Sequence, residues 1–400
     1  MIYLDNAATT FPKPDAVVET VDECMRNWCA NPGRAGHAAG HGAQPGIPLQ
    51  RTTRRVNPMK SGEAVYHARR EIAEFIGSKP QDIIFTSNCT DALNLAIHGV
   101  LKKGDHVVTT MMEHNSVLRP LNKLRAAGVE TTIVRCSREG KVRPADIEAV
   151  LRENTRMIIC TAASNVTGTI MPLKEIGEIA RRNHILFLVD GSQGMGVMKI
   201  DTEEYNIDLL TVSGHKSLMG PQGTGFLYVR SGTEIRPVKE GGTGTESWSI
   251  QQPQTIPEGF ESGTVNVPGI TGLAEGVRFV KRKGLKTIRA YEEELIAYLH
   301  KELCTSEEIQ IYGPAEMKEK VGIFAFNIKG MGSEQTAEIL DKKYGIAVRA
   351  GFHCAPLAHK AIGTEDGGCV RISVGCFNTG QEMIRTARAI RQISKDHRRE

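Results

Sequence analysis

Asp190 and Lys216 are the two residues of this 400-residue chain whose types and settings could most readily support covalent chemistry. Each closely follows a short apolar run. Ile185–Val189 leads into Asp190-Gly191-Ser192-Gln193, and Leu209–Val212 leads into Ser213-Gly214-His215-Lys216. A third run ends at Thr161-Ala162-Ala163-Ser164-Asn165. Polar residues at the carboxyl ends of parallel strands face the crevice in which α/β sheets bind ligands. Pyridoxal phosphate uses such a pair. A lysine amine holds it covalently, and a carboxylate keeps its pyridine nitrogen protonated so that the ring accepts carbanion electrons. The plainer reading has Asp190 capping a turn and Lys216 in solvent. That reading is weaker for Lys216, because SGHKSLMGPQGTG is poor helix and poor strand.

A phosphate needs donors. Ser87-Asn88-Cys89-Thr90 lies between an expected strand and an expected helix, and its amides and hydroxyls form a helix-N-terminal anion site. Thr90 is the expected hydroxyl donor, with Ser213 and His215 converging from the other side. A simple N-cap role for Thr90 is compatible with this. No GK[ST] is present, and the glycines after Asp190 have the wrong spacing for a dinucleotide fingerprint.

These residues need elements to position them. Apolar runs predict strands at 82–86, 106–110, 131–135, 157–161, 186–190, 208–212 and 225–229. Helical patterns lie between several of them, at 90–101, 116–127, 145–151 and 173–183. Such alternation predicts a mostly parallel sheet covered on both faces, an α/β fold. Beyond Gly241-Gly242-Thr243-Gly244 the texture changes. Helices are expected at 270–283 and 285–303, followed by a strand–helix–strand–strand–helix tail at 322–328, 333–344, 347–350, 370–374 and 381–394. The expected division is a large α/β domain over 15–268 and a smaller α+β domain made of 1–14 and 269–400. Ala38–Pro58, rich in Gly, Pro, Arg and Thr, has no periodicity and is expected to be an atypical loop insertion. From Ser61 a helix resumes with Ala64, Ala68, Ile72 and Phe75 on one face.

Composition excludes other classes. Hydrophobic residues are 40%, charged residues 24% and the net charge +4, too weak a basic excess to argue for nucleic acid or a membrane surface. The N-terminus has no signal-peptide pattern and no run is long enough to span a membrane, so a cytoplasmic location is expected. Nine scattered cysteines without a CxxC suggest reduced thiols, with room for one special thiol among them, and no structural zinc or other metal is expected.

The segments YLDNAATT (3–10), MEHNS (112–116), SNVTGT (164–169), VDGSQ (189–193), SGHK (213–216), FESGT (260–264) and RAGFHCA (349–355) together resemble the class V aminotransferase fold family, of PLP-dependent fold type I, and within it the cysteine desulfurases. The resemblance runs in order over nearly the whole chain and breaks only at Ala38–Pro58. That segment follows Arg34–His37, which the resemblance places near the active site. The resemblance implies that Lys216 binds pyridoxal 5'-phosphate and moves protons at the substrate Cα. It implies that Asp190 pairs with the ring nitrogen, Gln193 with the phenolic oxygen, and that His114 stacks on the ring. Thr90, Cys89, Ser213 and His215 would hold the cofactor at its phosphate end. Thr264 would reach the phosphate of a partner copy in a homodimer with shared sites. Asn165, Arg371 and Arg349 would form the substrate end, since Arg offers a planar two-pronged donor to a carboxylate.

Cys354 separates the chemistries within that family. An aminotransferase needs no thiol, whereas a desulfurase uses one to take the sulfur of L-cysteine as a persulfide. Gly351-Phe352-His353-Cys354-Ala355-Pro356 is expected to be a short turn. Positive charge from Arg349 and His353 would favour its thiolate. The other cysteines, Cys369 and Cys376 included, are expected to be structural. The resemblance therefore implies L-alanine as product and delivery of sulfur to an acceptor protein, for uses such as iron–sulfur cluster assembly. The alternatives are a selenocysteine lyase, an aminotransferase or epimerase in which Cys354 is incidental, and a non-catalytic scaffold.

Overall fold

The computed structural model describes residues 1–30 and 58–399. The expected loop at 38–58, except for Pro58, and the Arg34–His37 stretch lie outside the described residues. In chain order the elements are β1 (Ile2–Tyr3), α1 (Asp15–Asn27), α2 (Pro58–Ile76), β2 (Ile83–Thr86), α3 (Cys89–Val100), β3 (His106–Thr110), α4 (Asn115–Arg125) and β4 (Glu130–Val134). They continue as α5 (Pro144–Glu148), β5 (Thr155–Thr161), α6 (Leu173–Arg182), β6 (Leu186–Asp190), β7 (Leu209–Ser213) and β8 (Gly225–Val229). The C-terminal part holds α7 (Val267–Lys283), α8 (Leu285–Leu303), β9 (Ile309–Tyr312), β10 (Ile323–Ile328), α9 (Ser333–Tyr344), β11 (Ile346–Ala347), α10 (Pro356–Ile362), β12 (Val370–Ser373) and α11 (Gly380–His397).

The apolar runs between Ile83 and Val229 form one seven-stranded sheet in the order β2-β8-β7-β6-β5-β3-β4. The pairs from β4 across to β7 are parallel, as expected where helices such as α4 and α6 carry the chain back across the sheet. No helix separates β7 from β8, so β8 returns antiparallel to β7 and also pairs antiparallel with β2. Every residue of β3, β7 and β8 is buried, as expected where helices cover both faces of a sheet. Ala68 and Ile72 of α2 join the core beneath the sheet, with Ala64 and Phe75 packed at its edge, on the face expected from the sequence.

A second core lies under the antiparallel sheet β12-β10-β9 and the two-stranded pair β1–β11. Buried residues of α8 such as Leu295 and Leu299 join it together with Phe324, Phe326 and Ile390. Buried residues of α7, including Ile270 and Leu273, instead join the core of the large sheet. The packing therefore changes partner near Gly284 between α7 and α8, beyond the 268/269 division that texture suggested. The N-terminal segment links the two parts. Asp5 bridges to Ser373, and the Thr10 amide donates to the His215 carbonyl at 3.2 Å.

Four elements were not anticipated, one of them the two-residue β1. α1 buries only Val17 and Cys24, β9 has four residues and α10 seven, so each carries too short a pattern to read. The strand expected at 347–350 is reduced to Ile346–Ala347. Past it, Arg349 makes only an isolated bridge to Arg371, and the chain turns away at Gly351 with φ 92°. Among the described residues no helix is long and apolar enough to cross a membrane.

Candidate active site

A cavity of about 480 Å³ opens above the carboxyl ends of β5, β6 and β7. Its walls include Thr90, His114, Asn165, Gln193, Ser213, His215, Lys216, Arg349, Cys354 and Arg371, so ten residues singled out from the sequence meet around one space. The sheet register explains much of this. Thr161 pairs with Asp190 and Asp190 with Thr211, which sets adjacent strand ends level.

Asp190 is buried at the end of β6, next to the loop that carries Gln193 to the cavity wall. Its Oδ1 accepts the Ser192 amide at 2.9 Å and the Cys89 thiol at 3.3 Å. The carboxylate caps its own turn through Oδ1, and Oδ2 takes no hydrogen bond among the described residues. Gln193 donates its Nε2 to the Ala7 carbonyl at 3.0 Å. The Lys216 amine has no hydrogen-bond partner among the described residues. Enclosure lowers its pKa, an effect that the nearby Asp190 charge opposes.

One end of the cavity gathers the N-terminus of α3 with hydroxyl and imidazole groups. Asn88, not Thr90, is the N-cap of α3, with its side chain accepting the Asp91 amide at 3.0 Å. The Thr90 hydroxyl lies 2.7 Å from that of Ser116. Across from them, His215 has a buried Nδ1 without a partner, and burial brings its pKa down to about 4, with the Lys216 and Lys13 charges adding to the effect. His215 is therefore a neutral donor at ordinary pH. Gly225 lets β8 come in this close, since a Cβ there would sit 2.8 Å from the Asn88 backbone. One wall is His114, the N-cap of α4, whose Nδ1 accepts the Ser116 amide at 3.1 Å. This assigns the proton of the neutral ring to Nε2, which burial favours by lowering the pKa.

The other end carries a buried guanidinium. Arg371 is 2% exposed and donates to the Asn165 carbonyl at 2.8 Å and to Asp5 Oδ1 at 2.7 Å, while its Nε is buried without a partner. Asn165 also donates its amide to the His353 carbonyl at 2.7 Å, which ties this end to the thiol turn. That turn holds Cys354 exposed, with His353 and Cys354 both left-handed at φ 47° and 57°. The Cys354 carbonyl accepts the Asn115 amide at 2.7 Å, and Gly368 lies directly beneath Gly351.

One expectation is corrected here, and two placements are added to it. His353 brings no positive charge to Cys354, because burial and the Arg371 charge lower its pKa to about 2. Its Nε2 lies 3.0 Å from the Cys369 carbonyl. Thr264 lies outside this cavity, on a separate one of about 440 Å³. His353, His359 and Cys369 offer donor atoms within 4.8 Å of one another, a convergence that their spacing did not reveal. Burial pushes the Cys369 thiol up to about 12, and the Arg371 charge that lowers His353 would oppose a dication there. Sequence reasoning assigned no role to Asp5, Ala7 or Ala8, all three inside the YLDNAATT motif it had quoted.

The description aminotransferase class-V belongs to a family model that matches residues 2–385, and the chain belongs to that family. Among its relatives, a probable cysteine desulfurase of Methanothermobacter thermautotrophicus is 33% identical, over 98% of this chain and 94% of that one. A cysteine desulfurase of Yersinia pseudotuberculosis is 32% identical, over 99% of this chain and 94% of that one. The apo structure of a cysteine desulfurase from Thermococcus onnurineus NA1 is similar with a TM-score of 0.88 and 32% identity, covering 99% of this chain and 95% of that one.

Proposed function

We propose that the chain is a pyridoxal-phosphate-dependent cysteine desulfurase that converts L-cysteine to L-alanine and keeps the sulfur as a persulfide on Cys354. The observation that carries this reading is the exposed Cys354 thiol on the wall of the same cavity as Lys216 and Arg371. The donor set fits the cofactor. Asp190 Oδ2 is free for a protonated ring nitrogen. Thr90, Ser213, His215 and the N-terminus of α3 suit a phosphate, and Lys216 suits an aldehyde. When bound, pyridoxal phosphate supplies an electron sink for the pair released at the substrate Cα.

The protein residues do the rest. Arg371 presents its unpartnered Nε to the substrate carboxylate, with Asn165 and Arg349 beside it. The Lys216 amine, less basic than a free lysine, takes and returns the proton at Cα. The neutral His114 covers the site and can pass a proton from its Nε2. The Cys354 thiolate attacks the substrate sulfur. The new S–S bond forms as the Cβ–S bond breaks, and the electron pair stays with the carbon skeleton, where Cβ gains a proton. Atoms and electrons balance with no added oxidant: thiol plus cysteine gives persulfide plus alanine.

Support for the remaining partners is of two kinds. The exposed thiol suits hand-over of sulfur to an acceptor protein. The position of Thr264, away from its own cavity, suits a homodimer in which it serves the partner's site. The test is the stoichiometry of alanine and protein-bound sulfur after addition of L-cysteine. Cys354→Ala should keep the visible absorption of bound cofactor and lose sulfur transfer. Wild-type sulfide release by that variant would contradict the reading.

A further inference from the structure

We infer that Cys89 is a positioning residue for Asp190, its thiol donating to Oδ1 so that Oδ2 faces the cavity in one orientation. The inference rests on the cofactor reading above.

Cys89 is the first residue of α3, directly after the Asn88 cap. From there its side chain reaches down to the sheet, where it meets two register partners on adjacent strands, Asp190 of β6 and Thr211 of β7, each at 3.3 Å. The thiol has one proton to give. Thr211 directs its own hydroxyl to the Val189 carbonyl at 3.3 Å, so it has none for the sulfur. Of the acceptors open to the thiol, the Ser192 hydroxyl included, the carboxylate is the strongest, because a charged acceptor strengthens the bond. The sulfur is fully enclosed, and burial together with the Asp190 charge raises its pKa well above that of an ordinary cysteine. It therefore remains a thiol and a donor.

Asp190 Oδ1 is thus held from two directions, by the Ser192 amide at 2.9 Å and by Cys89. The amide belongs to the same loop and follows its movements. The thiol belongs to a different element and pins the carboxylate to α3, the helix whose N-terminus suits the phosphate. One contact thereby fixes the distance between the acid for the ring nitrogen and the site for the phosphate. Any small side chain would fill the space, so what distinguishes the inference is the proton.

Cys89→Thr and Cys89→Val test it, since the two side chains share a shape and only threonine donates. Three readouts are taken on purified protein: the pH midpoint of the visible band of bound pyridoxal phosphate, the dissociation constant of the cofactor, and kcat and KM for L-cysteine. The Thr variant should track wild type. The Val variant should move the midpoint by about half a pH unit and weaken cofactor binding roughly three- to tenfold. Its kcat should fall by a similar factor with KM little changed. Equal behaviour of Val and Thr would overturn the inference and leave Cys89 as packing. Failure of the underlying reading looks different: wild-type protein itself would then bind no pyridoxal phosphate and show no visible band.

Discussion

The strand ends beneath the cavity, its floor, and the thiol turn are built by opposite means. Asp190 sits at the end of a buried parallel strand, level with its neighbours, and its carboxylate is held by an amide and a thiol. Cys354 sits on an exposed turn with two consecutive non-glycine residues in the left-handed region, held by the Asn115 amide at its carbonyl and by the Asn165 amide one residue earlier. Left-handed backbone at such residues costs on the order of 1–3 kcal/mol each and persists only where the surroundings enforce it. The floor keeps a charge in one place, whereas the turn presents a nucleophile to the cavity and to solvent. The contrast suggests that changes at the floor affect cofactor binding and that changes at the turn affect sulfur transfer.

The largest expected effect is at the floor side. Lys216→Ala should abolish the visible absorption of bound cofactor, and loss of its proton transfer alone should lower kcat about 10²–10⁴-fold. A coloured covalent adduct in that variant would place the attachment elsewhere. Arg371→Ala comes next. Losing a charge-assisted clamp should raise KM for cysteine about 10- to 100-fold, with cofactor absorption intact. An unchanged KM would remove Arg371 from the substrate end.

Two smaller effects test the turn. A Cβ on Gly368, at φ 67°, would lie 2.2 Å from the Gly351 carbonyl oxygen. Gly368→Ala should cost about 2–3 kcal/mol of stability and slow sulfur transfer while cofactor binding holds. Coupled loss of both activities would erase the distinction between the two regions. His353, lowered to about 2, is neutral in the folded protein at pH values where an unfolded histidine, near 6.5, takes up a proton. Its contribution to stability is therefore present above about pH 6.5 and is lost as the pH falls below it, reaching about 2 kcal/mol by pH 5. His353→Gln should flatten that part of the pH profile in thermal unfolding. An identical acid slope would show that His353 is not its source.

The same contrast decides what the sequence made legible. The polar residues after Ile185–Val189 and Leu209–Val212 were readable because parallel strands announce themselves as apolar runs and their ends face the crevice by topology. Lys216, Asp190, Thr90 and Arg371 were placed together for that reason and through the resemblance of ordered motifs. Asp5 was not assigned, because its partner Arg371 lies 366 positions away and only the folded chain brings them together. The neutrality of His353 was misjudged, since adjacency in sequence suggests charge and burial removes it. Thr90 and Asn88 were exchanged as cap because both fit the local pattern, and only the Asp91 amide decides between them.

The central claim is that sulfur leaves the substrate onto one particular thiol. Peptide mass mapping after brief exposure of the purified, cofactor-loaded protein to L-cysteine addresses it directly. One added sulfur atom on the peptide carrying Cys354, absent when Lys216 is replaced by alanine, is the result expected. Added sulfur on another cysteine, or alanine release with Cys354 unmodified throughout, would contradict it.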